Sequence, residues 1–164
     1  MATLDTLVAR GVLIPIHVPL GNEPERRWIY GFPEFEEWLK SVVPHLESGR
    51  LKGSEPPMEQ LDYALYRWTS GKRIQYDRHF KDLMPLKDEV WELKTLDLRI
   101  FGWMHRPMNF VAVFGDYADL YKPPSKERFG RYETAKQKVI SARQMLDIDE
   151  PKFAKGTFDD LVHV

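Results

Sequence analysis

Residues 90–114, VWELKTLDLRIFGWMHRPMNFVAVF, carry the densest run of apolar, aromatic and β-branched positions in the chain. Val90, Trp91 and Leu93 open it, Leu98, Ile100, Phe101 and Trp103 continue it, and Val111, Val113 and Phe114 close it. Such residues suit a pleated, half-buried surface, so the pattern predicts two or three consecutive antiparallel strands. Arg106-Pro107-Met108-Asn109 supplies the punctuation of a hairpin turn. A meander that follows helical segments makes a compact α+β domain, one sheet face covered and the other available. Function is expected on the available face.

Upstream, residues 12–20 (VLIPIHVPL) are β-rich, but Pro15 and Pro19 restrict them to an edge strand or a docked extended segment. Residues 26–30 (RRWIY) read as a short strand. Pro33 then opens a helix with Glu34, Glu36 and Glu37 in its first turn. Phe35, Trp38, Leu39, Val42, Val43 and Leu46 share one face of it, and Pro44 should kink or end it. Residues 51–57 read as a loop. A second helix is expected from about Met58 to Trp68, with Gly71 as its stop. Residues 72–89 look polar and irregular. A basic loop over 122–131 precedes a third helix from about Tyr132 to Leu146. The expected fold is therefore α+β, a small antiparallel meander sheet packed on an N-terminal helical hairpin with a C-terminal helix. Residues 1–24 read as an N-terminal extension, 25–146 as the domain and 147–164 as an acidic tail.

The formal net charge of -1 conceals a segregation. Residues 66–145 hold 16 basic and 10 acidic side chains, whereas both flanks are acidic. The central segment leaves room for an anionic partner. The chain has no cysteine, which removes disulfides and thiolate metal sites and fits a reducing cytosol. No apolar run approaches the length of a membrane span, and residues 1–24 do not read as a signal peptide, so a cytoplasmic protein without membrane partners is expected. His17, His45, His79, His105 and His163 are scattered without ligand spacing, so neither a metal nor a cofactor is expected.

The chemistry-bearing residues are Lys94 and Arg99 on the strands, His105 and Arg106 at the turn, and Tyr117, Tyr121, Lys122, Lys126, Arg128, Arg131 and Tyr132 beyond them. Metal-free RNA cleavage needs a proton acceptor for the 2′-hydroxyl, cations for the transition-state charge and a proton donor for the leaving oxygen. Arg and Lys serve the phosphate, aromatic rings stack bases, and His, Tyr or a perturbed Lys moves protons. Each residue also has a structural reading. Arg99 can pair with Glu92 or Asp97, Lys94 can be a solvated strand residue, and His105 can be a polar turn residue. The tyrosines can close the core, and Trp91, Phe101 and Trp103 read as core.

The order of elements (short strand, two amphipathic helices, polar linker, then VWELKTLDLRIFGW) resembles the RelE/ParE superfamily of bacterial toxins, and most the HigB-like, phage-derived branch. A strand of the W-E-L-R type followed by an arginine among aromatics corresponds here to Trp91-Glu92-Leu93-Lys94 and Leu98-Arg99-Ile100-Phe101. The resemblance implies an mRNA-cleaving toxin, usually working at the ribosome and silenced by an antitoxin protein. It assigns Arg99 to the phosphate and gives Lys94 a position commonly held by arginine. It offers Lys122, Lys126, Arg128 and Tyr132 as the basic and proton-transferring residues after the last strand. Two departures stand out. Phe114-Gly115-Asp116-Tyr117 replaces an F-x-K-K stretch, and Glu92 falls where RelE has a lysine. These carboxylates and the acidic flanks favour an alternative, a non-catalytic phage or mobile-element protein that reuses the fold to bind a host protein. A plain nucleic-acid binder using residues 66–145 is a third reading.

Overall fold

The computed structural model describes residues 1–48, 55–122 and 125–163. The loop expected over 51–57 lies mostly outside them, as do residues 123–124 of the expected basic loop. The described elements are α1 (Leu4–Ala9), β1 (Ile14–Pro15), β2 (Trp28–Gly31), α2 (Pro33–Ser41), α3 (Pro57–Thr69), β3 (Phe80–Asp82), β4 (Trp91–Lys94), β5 (Leu98–Arg106), β6 (Asn109–Tyr117), α4 (Ser125–Met145) and α5 (Phe158–Val162). They build an α+β fold around one six-stranded sheet in the order β1-β2-β6-β5-β4-β3.

The meander is present: β3, β4, β5 and β6 pair antiparallel in succession. The sheet as a whole is mixed, because β2 runs parallel to β6, with Trp28 opposite Asn109 and Gly31 opposite Ala112. β1 adds an antiparallel edge of two residues, the position its prolines allow. Pro107 and Met108 make the β5–β6 turn, Met108 with the positive φ of 65° that a type II turn takes at its second corner. Pro44 ends α2 early, and residues 43–45 follow as a single 3-10 turn.

Both faces of the sheet are covered, which corrects the expectation of an available face. Alternation along β5 sends Leu98, Ile100 and Met104 into one core with Phe35, Leu61 and Trp68 of α2 and α3. Phe101 and Trp103 enter a second core with Leu7 of α1 and Ala135 and Val139 of α4. Consecutive apolar residues in a central strand are the mark of a sheet buried on both sides. The terminal segments belong to these cores as well. Leu13 and Ile148 are fully buried in the second, and Leu161 and Val162 in the first. Residues 1–24 and 147–163 thus pack as parts of the body.

Two glycines permit close approach in the sheet. A Cβ on Gly115 would strike the Trp38 indole, so the glycine between Phe114 and Asp116 lets α2 seat closely on β6. A Cβ on Gly102 would meet the Val111 carbonyl, at a register shift between Phe101 and Gly102.

Candidate functional site

Period-two alternation turns Trp91 and Leu93 toward α3 and leaves Glu92 and Lys94 on the side of α4. Across the β4–β5 register Lys94 stands opposite Arg99, and Arg99 stands opposite Asp116 of β6. Like charges directly opposite repel, and two carboxylates offset this: Asp77 at 3.3 Å from Lys94 and Glu92 at 3.9 Å from Arg99. The N-terminal half of α4 lies over this end of the sheet and encloses a cleft of about 670 Å³.

Glu92 forms the floor of that cleft. It is 2% exposed, and burial pushes its carboxyl well above the usual carboxylate range despite the opposing pull of Arg99 and Lys94. Tyr132 of α4 donates its hydroxyl to Glu92 Oε1 at 3.3 Å. Burial and the neighbouring carboxylate raise the Tyr132 phenol to about 12, so it remains a neutral donor. Arg99 is 6% exposed. Its Nη1 donates to the carbonyls of Thr95 (2.6 Å) and Leu98 (3.0 Å), which clamps the turn between β4 and β5. Among the described residues, Glu92 Oε2 and Arg99 Nε are buried without a hydrogen-bond partner. These two atoms face each other at 3.9 Å, an ion-pair separation too long for a hydrogen bond, so a ligand that both donates and accepts could complete the hydrogen bonding of each.

Further cations line the walls: Lys81, Lys122, Arg128 and Lys136. Lys136 is held by Asp88 at 3.2 Å and Glu133 at 2.9 Å. Lys81 shares Asp77 with Lys94. Arg128 pairs with no carboxylate among the described residues. Phe129 borders the cleft with 72% of its surface exposed.

Of the residues singled out in the sequence, Lys94, Arg99, Tyr121, Lys122, Arg128 and Tyr132 meet in this cleft. His105 and Arg106 do not. His105 lies six residues beyond Arg99 in β5, about 20 Å away at the strand rise. It is buried, and its Nδ1 bonds the Lys152 carbonyl at 3.0 Å. Arg106 donates to the Pro151 carbonyl at 2.9 Å. Both residues anchor the C-terminal segment. The expected basic loop is helical from Ser125 onward, which spreads its cations around α4. Arg131 faces a separate groove with Phe114 and Lys138, and Lys126 is exposed outside the clefts described here.

Comparison with known proteins finds no matching family model, curated protein or solved structure. The sequence shows Glu92 only as a possible partner of Arg99 at a position where RelE has a lysine, and does not reveal it as the buried centre of the cleft. The available signal was a carboxylate between two core residues, Trp91 and Leu93, in a strand too apolar to be solvated. Phe129 was missed too, an aromatic within the basic string KERFGR. Among the described residues no group of three His, Asp or Glu is placed to hold a metal ion, and no helix is long and apolar enough to cross a membrane.

Proposed function

We propose that the protein cleaves RNA by intramolecular transphosphorylation over Glu92, in the cleft between β4–β5 and α4. The observation that carries this reading is the buried carboxyl of Glu92, held by a neutral phenol and ringed by cations. RNA brings its own nucleophile. The protein must supply a base of elevated pKa, a proton donor and positive charge, and these are what the cleft contains. Glu92 takes the 2′-hydroxyl proton as the 2′-oxygen attacks phosphorus. Tyr132 gives its proton to the departing 5′-oxygen, and the proton on Glu92 restores the phenol through their hydrogen bond. The products are a 2′,3′-cyclic phosphate and a free 5′-hydroxyl. Lys94, Lys122 and Arg128 face the phosphate, while Arg99 holds the turn and sets the charge beside Glu92. Phe129 offers a face on which a base can stack.

The element order supports the same reading. The short strand, helical hairpin and meander follow the sequence of elements in RelE/HigB-like toxins, and the proposal extends to mRNA on the ribosome as substrate and an antitoxin as partner. The test is end-labelled mRNA, free and in a translating extract. Cleavage with cyclic-phosphate ends is expected, and Glu92→Gln should slow it about 10²- to 10⁴-fold while RNA still binds. Intact transcripts in both settings, with folded protein, would overturn the proposal.

A second reading draws on Arg99. Its guanidinium is buried and bonded to backbone carbonyls, which removes the residue expected to grip phosphate. That favours a non-catalytic protein that binds a host protein. It requires no cleavage in either setting and a defined complex that survives Glu92→Gln.

A further inference from the structure

A second cleft, of about 420 Å³, lies on the opposite side of the sheet between α3 and the β4–β5 turn. It shares Asp77, Lys94, Arg99 and Lys122 with the first. Its other charged residues are Arg67 on α3 and Arg78 in the segment before β3, together with His79. Asp77, its one carboxylate, is already engaged by Lys81 at 3.1 Å and Lys94 at 3.3 Å. Among the described residues, neither Arg67 nor Arg78 pairs with a carboxylate. Burial and these two arginines push the His79 imidazole below its ordinary value, the response of a group in a positive field. Its Nδ1 accepts the Gln75 N–H at 2.9 Å, which leaves Nε2 as the proton-bearing nitrogen. Tyr63, 66% exposed, borders this cleft as Phe129 borders the other.

We propose that the two clefts form one track for single-stranded RNA, which crosses the β4–β5 turn and sets nucleotides beyond the scissile phosphate against Arg67 and Arg78. The inference rests on the RNA-cleaving reading of the first cleft and adds a second binding surface. Its geometry selects a single strand. The clefts open on opposite sides of the sheet, so the ligand must bend sharply over one turn, which a flexible strand does cheaply and a stiff duplex does not. An exposed ring at each end, Phe129 and Tyr63, suits unpaired bases, since every base has a face to stack.

The experiment measures binding of 2′-O-methyl RNA, which cannot be cleaved, by fluorescence anisotropy over a range of salt. Oligonucleotides of about 4 and about 12 nucleotides bracket the length of a strand-binding groove. The longer one should bind the parent protein more tightly and with a steeper salt dependence. Arg67→Ala with Arg78→Ala should lower the slope of log K against log salt for the longer strand by about 1.4, the loss of two phosphate contacts. Tyr63→Ser should weaken the longer strand roughly tenfold with no change of slope, because stacking releases no ions. An unaltered slope in the double variant overturns the track and leaves the reaction at Glu92 standing. Equal affinity for a matched duplex overturns the single-strand assignment. Failure of the parent to bind either oligonucleotide overturns the reading of the first cleft, and with it this one.

Discussion

Glu92 illustrates how far a single residue's chemistry depends on its surroundings. In the unfolded chain it is an ordinary carboxylate. In the folded chain α4 and the sheet strip its water away, and the protonated form gains relative to the charged one. The folded carboxyl therefore keeps its proton to higher pH than the unfolded one. Its contribution to stability is complete below the unfolded pKa, about 4.3, and is lost as pH rises through the elevated folded value. Glu92→Gln mimics the protonated carboxyl, so urea-unfolding midpoints of the variant should lack this loss, with the gap from the parent widening as pH increases. Superimposable pH profiles would mean that the carboxyl is solvated after all. His105 has the opposite sense. Burial depresses its imidazole, and stability present above about 6.5 falls away as pH drops toward the folded value. Replacing His105 by Asn, which retains a donor for the Lys152 carbonyl, should remove this acid-side loss, read from the same midpoints below pH 6.5. The sequence names the titratable side chains and their neighbours along the strand. It does not give their desolvation, because the groups that bury them come from distant segments.

At the scale of elements, alternation and turn chemistry made β4, β5 and β6 legible, since both are local. The ends of helices were less so. The glycine at 130 and the run of charges made residues 125–131 read as loop, yet Lys126, Glu127 and Arg128 are good helix formers and α4 includes them. Gly130 sits in the exposed interior of that helix with open space where a Cβ would go. Gly130→Ala should then raise stability by about 0.5–1 kcal/mol, measured by denaturation. A destabilising result would mean that this stretch is not helical in solution. β3 was missed for a different reason. Its three residues form a strand only because β4 pairs with them, and Phe80 is fixed there by rings from three other elements. It stacks on Trp91 with ring centroids 5.2 Å apart, and meets Trp68 at 5.0 Å and Phe110 at 5.3 Å.

For the molecule as a whole, the chain's end is as much core as its middle. Leu161 of α5 is buried against the α2–α3 side, and its carbonyl accepts the N–H of Met108 at the β5–β6 turn. The buried Arg27 side chain ties the Val162 carbonyl (2.8 Å) to those of Trp68 (3.1 Å) and Lys72 (2.9 Å) at the end of α3. Leu161→Ala should cost about 2–5 kcal/mol, with tryptophan fluorescence and far-UV circular dichroism reporting one shared transition. A cost below 1 kcal/mol on the same reasoning, or two separated transitions, would show the C-terminal segment to be an independent appendage. The α+β class, the hairpin at Pro107-Met108, the helical pair and the central excess of cations are legible along the chain, because periodicity, turn preference and composition act between near neighbours. The closing of both sheet faces, the loss of water around Glu92 and the gathering of Arg67 and Arg78 with Lys94 around one turn arise only in the folded chain. Those outcomes depend on which distant surfaces exclude solvent together, a property of packing that no local pattern encodes.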